Sequence, residues 1–419
     1  MGFLTNKSLK TVGDVASWRL CMGCGACVSV CPQHNIRLIN LPFEGLHPIV
    51  NSEKCIKCGA CIGVCPGVGA SHQPFNTETI PQLRQAWGPV LEVWEGYAGD
   101  PEIRFKGSSG GVATAISLFC LEEGLASAVL HVGAEPDAPL ENATVLSKGR
   151  EELIACTGSR YSPAAPCEKL NWVEQLESPC IFIGKPCDIV ALRKAQANNA
   201  KLSQNVVLAV SIFCAGTPTT AGTHKLLKVL GVKPEDVEQI RYRGYGWPGK
   251  TIVKSSKNEH TYQMTYNESW GGILSKYVQM RCRLCPDGTG EFADISCGDP
   301  WYREIKPDES GRSLVLVRTQ HGQKILRGAM EAGYIESEKA EPRALTASQK
   351  ALLKRRQNLF GRLLAMHIVR IPAPHFKGFS LFSNWRGLSM SKKTRSVTGT
   401  LKRIFQRNWR KPLKVSERE

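Results

Sequence analysis

The sequence lacks any long apolar run: nothing in its 419 residues approaches the roughly 18 to 20 consecutive apolar residues that a membrane-spanning helix needs. The first 20 residues also lack the apolar stretch of a secretory signal, so the expected location is the cytoplasm. Acidic residues are nearly missing from one end. From Lys350 onward there are 18 Lys and Arg against only Glu417 and Glu419, so almost all of the net charge of +17 belongs to this segment and the rest of the chain is close to neutral. No recognised nucleic-acid-reading motif accompanies the charge, which argues against nucleic acid as a partner. With 42% hydrophobic and 22% charged residues the balance is that of two or three globular domains, not of a fibre or a disordered chain.

Cysteine, by contrast, is abundant at 17 residues. Disulfides are the expectation for small secreted domains. Here the chain is large and many cysteines fall at two- or three-residue gaps, which favours soft metal ligation in a reducing compartment. One internal repeat stands out. Cys21-Met-Gly-Cys24-Gly-Ala-Cys27-Val-Ser-Val-Cys31-Pro32 returns 34 residues later as Cys55-Ile-Lys-Cys58-Gly-Ala-Cys61-Ile-Gly-Val-Cys65-Pro66. Both are C-x2-C-x2-C-x3-C-P, the run of bacterial two-cluster ferredoxins, in which the fourth cysteine ligates the other cluster. One 4Fe-4S cluster is therefore expected on Cys21, Cys24, Cys27 and Cys65, and a second on Cys55, Cys58, Cys61 and Cys31. Zinc also uses C-x2-C pairs, but a site closed by four ligands has no use for eight cysteines in a crossed repeat.

Behind this unit, Val90–Tyr97 alternates like a strand, and 105–120 reads as a glycine-rich loop opening a helix. Ser108, Ser109, Gly110 and Gly111 at a helix start suit the phosphates of a cofactor, although such turns are often only caps. Buried strands are expected at Ala128–Val132, Cys180–Ile183 and Val206–Phe213, with helices around Ile189–Asn198 and Thr220–Leu230, giving a mixed α/β body. Four further cysteines sit where the chain turns: Cys187, Cys214, Cys282 and Cys285. Four thiols suffice for a third cluster, while Cys187 and Cys214 also read as small buried residues. Cys120, Cys156, Cys167, Cys180 and Cys297 read as packing residues.

Taken together, the ferredoxin repeat, Lys106-Gly-Ser-Ser-Gly-Gly111, Thr157-Gly-Ser-Arg-Tyr161, Gly184-Lys-Pro-Cys-Asp188, Phe213-Cys-Ala-Gly216, Tyr242-Arg-Gly-Tyr-Gly-Trp247, Arg281-Cys-Arg-Leu-Cys285 and Ala293-Asp-Ile-Ser-Cys-Gly-Asp-Pro-Trp301 resemble one family. It is the beta subunit of the coenzyme F420 hydrogenase and dehydrogenase, and the likeness runs from about Cys21 to about Glu336. The resemblance implies an iron–sulfur flavoprotein oxidoreductase. Its FAD would be held by Ser108 to Gly111 with Gly158, Ser159, Arg160 and Tyr161. The third cluster would sit on Cys187, Cys214, Cys282 and Cys285, and Lys185 would place charge near reduced flavin unless it is a solvated loop lysine. Cysteine at 297 replaces the branched apolar residue that the family pattern leads one to expect. Implied partners are a ferredoxin or a hydrogenase or dehydrogenase subunit as electron donor, and a small-molecule substrate or coenzyme. Because relatives of this type also resemble enzymes encoded among surface-polysaccharide genes, that chemistry is a second context. A different class of reading makes the chain a non-catalytic electron-transfer subunit serving a separate enzyme.

The expected domains are a two-cluster unit at 1–74, a flavin-binding body at 75–341 in two parts, about 75–180 and 181–341, and a basic amphipathic segment at 342–419. In the last, Leu352, Leu359, Leu363 and His367, and again Leu401, Ile404 and Trp409, recur at helical spacing among cations. Such helices suit an anionic membrane surface on the inner face, or else dock on the body.

Overall fold

The computed structural model describes residues 9–73, 78–257, 259–306 and 309–413. The expected boundary between residues 74 and 75 lies outside the described residues.

The body is built on eight strands: β1 Glu92–Ala98, β2 Ala128–Glu135, β3 Ala138–Ser147, β4 Cys180–Gly184, β5 Val206–Ile212, β6 Ile295–Gly298, β7 Ser313–Val317 and β8 Ile335–Lys339. Their spatial order is β8-β1-β7-β6-β5-β4-β2-β3. The four middle strands β6, β5, β4 and β2 are mutually parallel, and antiparallel strands close both edges. Parallel strands covered on both faces read as continuous apolar runs, which is why 180–183 and 206–213 stand out in the sequence. The side chains alternate between two cores. Ile181, Leu208 and Val210 pack with helix Val112–Glu122 on one face. Cys180, Phe182 and Ala209 pack with helix Pro186–Gln196 on the other. A separate three-stranded sheet, Val237–Arg241, Lys250–Ser255 and Thr261–Thr265, stands beside the main one.

The N-terminal unit holds an antiparallel hairpin, Ile36–Leu41 with Gly45–Val50, and two four-residue helices, Ala26–Ser29 and Ala60–Gly63. It is docked rather than tethered, for Cys24, Ala26 and Val64 are buried in the same core as Phe182 and Ile189.

The basic segment is folded onto the molecule. Helix Lys350–Ile368 buries Leu359 and Met366 with Cys27, Cys31 and Cys65, and helix Met390–Gln406 adds Ile404 to that core. Leu352, Leu359, Ile404 and Trp409, from the apolar faces that the sequence offers to a lipid surface, are thus buried in protein, while Phe405 stays exposed. Among the described residues no helix is long and apolar enough to cross a membrane. Residues 375–377 pair in parallel with 69–71, so the segment also continues a ladder begun in the N-terminal unit.

Candidate functional site

Each short helix of the N-terminal unit starts from a left-handed glycine, Gly25 at φ 84° and Gly59 at φ 78°, a conformation that only glycine enters without strain. The turns gather the thiols. Burial pushes Cys27 well up, and the sulfurs of Cys24, Cys21, Cys65 and Cys61 add to it. Burial and then Cys65 raise Cys21, and Cys65 is itself pushed up to about 11 by burial and Cys24. Cys65 of the second run thus stands among the first three cysteines of the first run. Cys61 is raised by burial with Cys55 and Cys58 beside it, and Cys31 directs its thiol to Asn35 Oδ1 at 2.9 Å. The two sets differ in surroundings. A Cβ at Gly25 would lie 2.7 Å from Glu168, whereas one at Gly59 or Gly63 would meet nothing within 4 Å, and Cys58 is exposed.

Four more thiols come together from three places. Cys187 follows β4 in the first turn of its helix, Cys214 follows β5, and Cys282 and Cys285 flank the end of helix Met280–Arg283. All four line one concavity, together with Arg355 and with Met22 from the first cysteine loop. Burial, then Cys282, push Cys214 up to about 12; burial and Asp188 push Cys187 up. The Thr217 N–H donates to Cys282 Sγ at 3.4 Å. Among the described residues no three His, Cys, Asp or Glu side chains converge as ligands of a single ion would. Four soft thiols, a backbone N–H on sulfur and adjacent cations form a donor set that fits an iron–sulfur cluster.

Beside this concavity, and sharing Cys214 with it, a cleft of about 290 Å³ opens at the carboxyl ends of β4, β5 and β6. Ligand crevices in parallel α/β sheets form there. Its floor is the start of helix Val112–Glu122, where Gly111 at φ 74° turns the chain and residues 112–114 line the cleft. The first N–H bonded back within the helix is that of Ala115, to the Gly111 carbonyl, so the preceding amides are available to an anion. Arg243 is 2% exposed and forms a two-pronged ion pair with Asp299, Nη1 to Oδ2 at 3.0 Å and Nη2 to Oδ1 at 2.8 Å. Its guanidinium also lies over the rings of Tyr266 and Trp301, which stack at 5.3 Å. The cleft is also lined by Lys185, whose Nζ is 2.7 Å from Asp188 Oδ2. Burial works against the Lys185 charge, but Asp188 and the sulfurs of Cys187 and Cys214 hold its pKa above the ordinary lysine value. Cradling glycines, free amides and an aromatic wall fit a phosphate-bearing ring cofactor.

Of the residues that the sequence marks for the cleft, Ser108, Ser109, Gly111, Gly158, Ser159, Arg160, Tyr161 and Lys185 line it. Gly110 does not. Its N–H is taken by Ser313 Oγ at 2.9 Å, and a Cβ there would lie 2.6 Å from the Gly96 carbonyl, so this glycine serves close packing. Arg160 spends its guanidinium on the carbonyls of Pro139 and Glu141 and on Asn142, which ties the 157–161 loop to β3. Lys185 is paired and partly buried, not solvated. Sequence reading missed the Arg243–Asp299 pair, although both residues lie inside the marked segments. Cys167, read as packing, is buried; its N–H donates to the Cys24 carbonyl at 2.9 Å and its thiol to the Asp188 carbonyl at 3.4 Å. Cys297, read as packing, is buried in β6 at the cleft wall.

Two cysteine runs that gather their thiols, with four more thiols beside a cleft, fit an iron–sulfur protein of oxidoreductase type. Comparison with known proteins narrows the class. Residues 20–70 match the 4Fe-4S dicluster domain, residues 93–171 the N-terminal and 179–343 the C-terminal part of the coenzyme F420 hydrogenase/dehydrogenase beta subunit. The chain is 25% identical over 301 residues to the coenzyme F420 hydrogenase subunit beta of Methanothermobacter thermautotrophicus, covering 69% of this chain and 99% of that one. It is 25% identical over 267 residues to the F420-dependent formate dehydrogenase 1 subunit beta of Methanococcus maripaludis, covering 62% and 64%. Its fold is similar to a chain in the F420-reducing [NiFe] hydrogenase complex from Methanosarcina barkeri, with a TM-score of 0.52 at 23% identity, over 67% of this chain and 94% of that one. The chain belongs to the coenzyme F420 hydrogenase/dehydrogenase beta subunit family and carries a 4Fe-4S dicluster domain at its N-terminal end.

Proposed function

We propose that this chain is the electron-transfer subunit of an F420-type oxidoreductase, with three 4Fe-4S clusters and one FAD, and that oxidation of the primary electron source occurs on a separate partner subunit. The observation that carries this reading is the shared wall, since Cys214 lines both the cysteine concavity and the cleft. Cys21, Cys24, Cys27 and Cys65 would hold the inner ferredoxin-type cluster. Cys55, Cys58, Cys61 and Cys31 would hold the outer one, and Cys187, Cys214, Cys282 and Cys285 the third. When bound, the clusters supply single-electron steps and the flavin couples them to a two-electron exchange.

The chain's own residues prepare the site for this. The amides at 112–114 and the Ser108 hydroxyl bind phosphate at the helix N-terminus. Lys185, kept charged by Asp188, lines the cleft, where it would favour the anionic form of a reduced flavin. Tyr266 and Trp301 shield the ring from water, and the Arg243–Asp299 pair holds that aromatic wall in place. The exposed Cys58 puts the outer cluster where an external redox protein can approach. The relatives are named for coenzyme F420, which makes a deazaflavin the soluble reactant of this reading in preference to a polysaccharide precursor.

Anaerobic reconstitution tests it. About 12 iron atoms per chain and one released flavin nucleotide are expected. The isolated chain should pass electrons from reduced viologen to coenzyme F420 but use neither hydrogen nor formate. Turnover of hydrogen or formate by the chain alone would refute the subunit reading, and about 8 iron atoms with no flavin would remove the third cluster and the FAD.

A further inference from the structure

Three arginines from three elements converge where, among the described residues, no acidic side chain stands. Arg283 lies between Cys282 and Cys285, Arg362 on helix Lys350–Ile368 and Arg403 on helix Met390–Gln406, and all three line a concavity of about 80 Å³. Its remaining wall is mostly apolar, with Met366, Ile404 and Trp409, and among the described residues no Asp or Glu lines it. The guanidinium bonds made here are few: Arg362 Nη1 to the Arg283 carbonyl at 2.5 Å, and Arg403 Nη2 to Thr400 Oγ1 at 3.2 Å. Burial, then Arg403, Arg355 and Arg283, bring Arg362 down to about 10. Half-buried like charges repel through a medium that screens less than water, and an anion among them removes that repulsion.

We propose that this concavity binds one small oxyanion of phosphate size, taken from solution and held by the guanidinium groups of Arg283, Arg362 and Arg403. Planar guanidinium forks match the edges of a tetrahedral oxyanion and pair with two of its oxygens at once. The volume admits one such ion, well short of the roughly 300 Å³ or more that whole organic ligands occupy. The position gives the ion a second effect, and this part rests on the function proposed above. Arg283 belongs to the turn that carries Cys282 and Cys285, so an anion here cancels a positive charge beside the third cysteine set and lowers the reduction potential of a cluster held there.

Calorimetric titration of the full chain with inorganic phosphate, at constant ionic strength in chloride, tests the binding. One phosphate per chain is expected. The Arg362→Gln/Arg403→Gln variant should bind at least tenfold more weakly, and Lys402→Gln, an exposed change on the same helix, should bind as the parent does. Arg403→Lys keeps the charge and loses the fork, so it should weaken binding several-fold even where the double variant does not fold. No binding beyond that of chloride, or unchanged affinity in Arg403→Lys, would overturn the site. Binding that emerges only when residues 414–419 are deleted would overturn an external ligand, because Glu417 or Glu419 would then be the occupant. A redox titration with and without phosphate reads the coupling, and an unmoved third-cluster potential at saturating phosphate overturns it. Iron and flavin contents of the same samples report separately on the proposed function.

Discussion

Arg281 is 1% exposed, yet among the described residues no carboxylate pairs with it. Its Nη1 donates to the Leu284 carbonyl at 3.0 Å and its Nη2 to the Pro66 carbonyl at 2.9 Å, while Nε has no acceptor. Burial lowers its pKa, and the sulfurs of Cys285, Cys282, Cys187 and Cys65 oppose that. A buried cation needs a counter-charge, and thiolates of two different cysteine sets would supply it once they ligate clusters. On the function proposed above, Arg281→Gln should therefore shift the potentials of the inner ferredoxin-type cluster and the third cluster negative together, with Arg281→Lys shifting both less. A redox titration followed by electron paramagnetic resonance would show it, and movement of only one potential would refute the bridging role. In the cleft, Asp299→Asn removes the negative partner of Arg243. If the cleft holds flavin as proposed, loss of flavin retention with iron content unchanged is expected, measured on the purified chain. Each partner was visible in a marked segment, Tyr242–Trp247 and Ala293–Trp301. Their pairing was not visible, because it depends on the end of β6 meeting the small sheet, and that follows from strand order.

At the scale of elements, the apolar runs at 180–183 and 206–213 reveal parallel strands because both faces are covered. The order of those strands stays hidden, since each crossover leaves no trace in local pattern. The eight-cysteine repeat is legible because ligand spacing is a local matter. The inward and outward orientation of the two clusters is not, for it depends on Glu168 meeting Gly25 and nothing meeting Gly59. Helix Lys350–Ile368 shows the same divide. Its amphipathic period is plain, but the pattern cannot tell lipid from protein as the cover. Protein is the answer: Leu359 is 0% exposed in the core that holds Cys27, Cys31 and Cys65. Leu359→Ala should cost about 2–5 kcal/mol, read by chemical denaturation, and should speed loss of iron from the N-terminal unit. Iron release at the parental rate despite that loss of stability would show the helix to be uncoupled from the clusters.

The whole molecule is closed by its basic segment. Gln349 and Leu352 line the cleft, Arg355 lines the cysteine concavity, and Arg356 pairs with the buried Glu291. Truncation after Glu341 should give insoluble or flavin-free protein, and recovery of a soluble, flavin-replete fragment would contradict this. Burial works to raise the Glu291 pKa, but Arg356 and His72 hold it down to about 2 from an ordinary 4.5. A depressed carboxylate stabilises the fold when ionised, so the contribution is complete above about 4.5 and disappears as pH falls toward 2. Glu291→Gln should be about 3–5 kcal/mol less stable at neutral pH, with the gap to the parent closing over that window in urea melts at stepped pH. A gap independent of pH would mean that the charge is not what stabilises.

The ladder between 69–71 and 375–377 also orders events in time. A Cβ at Gly69 would lie 1.8 Å from the His375 carbonyl, so the two backbones meet without a side chain between them, and Cys65 stands just ahead of that contact. During synthesis the first strand leaves the ribosome long before its mate exists. Throughout that interval the inner cysteine loop has only half its enclosure, and domains fold as they emerge. Residues 21–71 are therefore made well before residues 375–377, and the inner cysteine loop gains this neighbouring strand only once those residues exist.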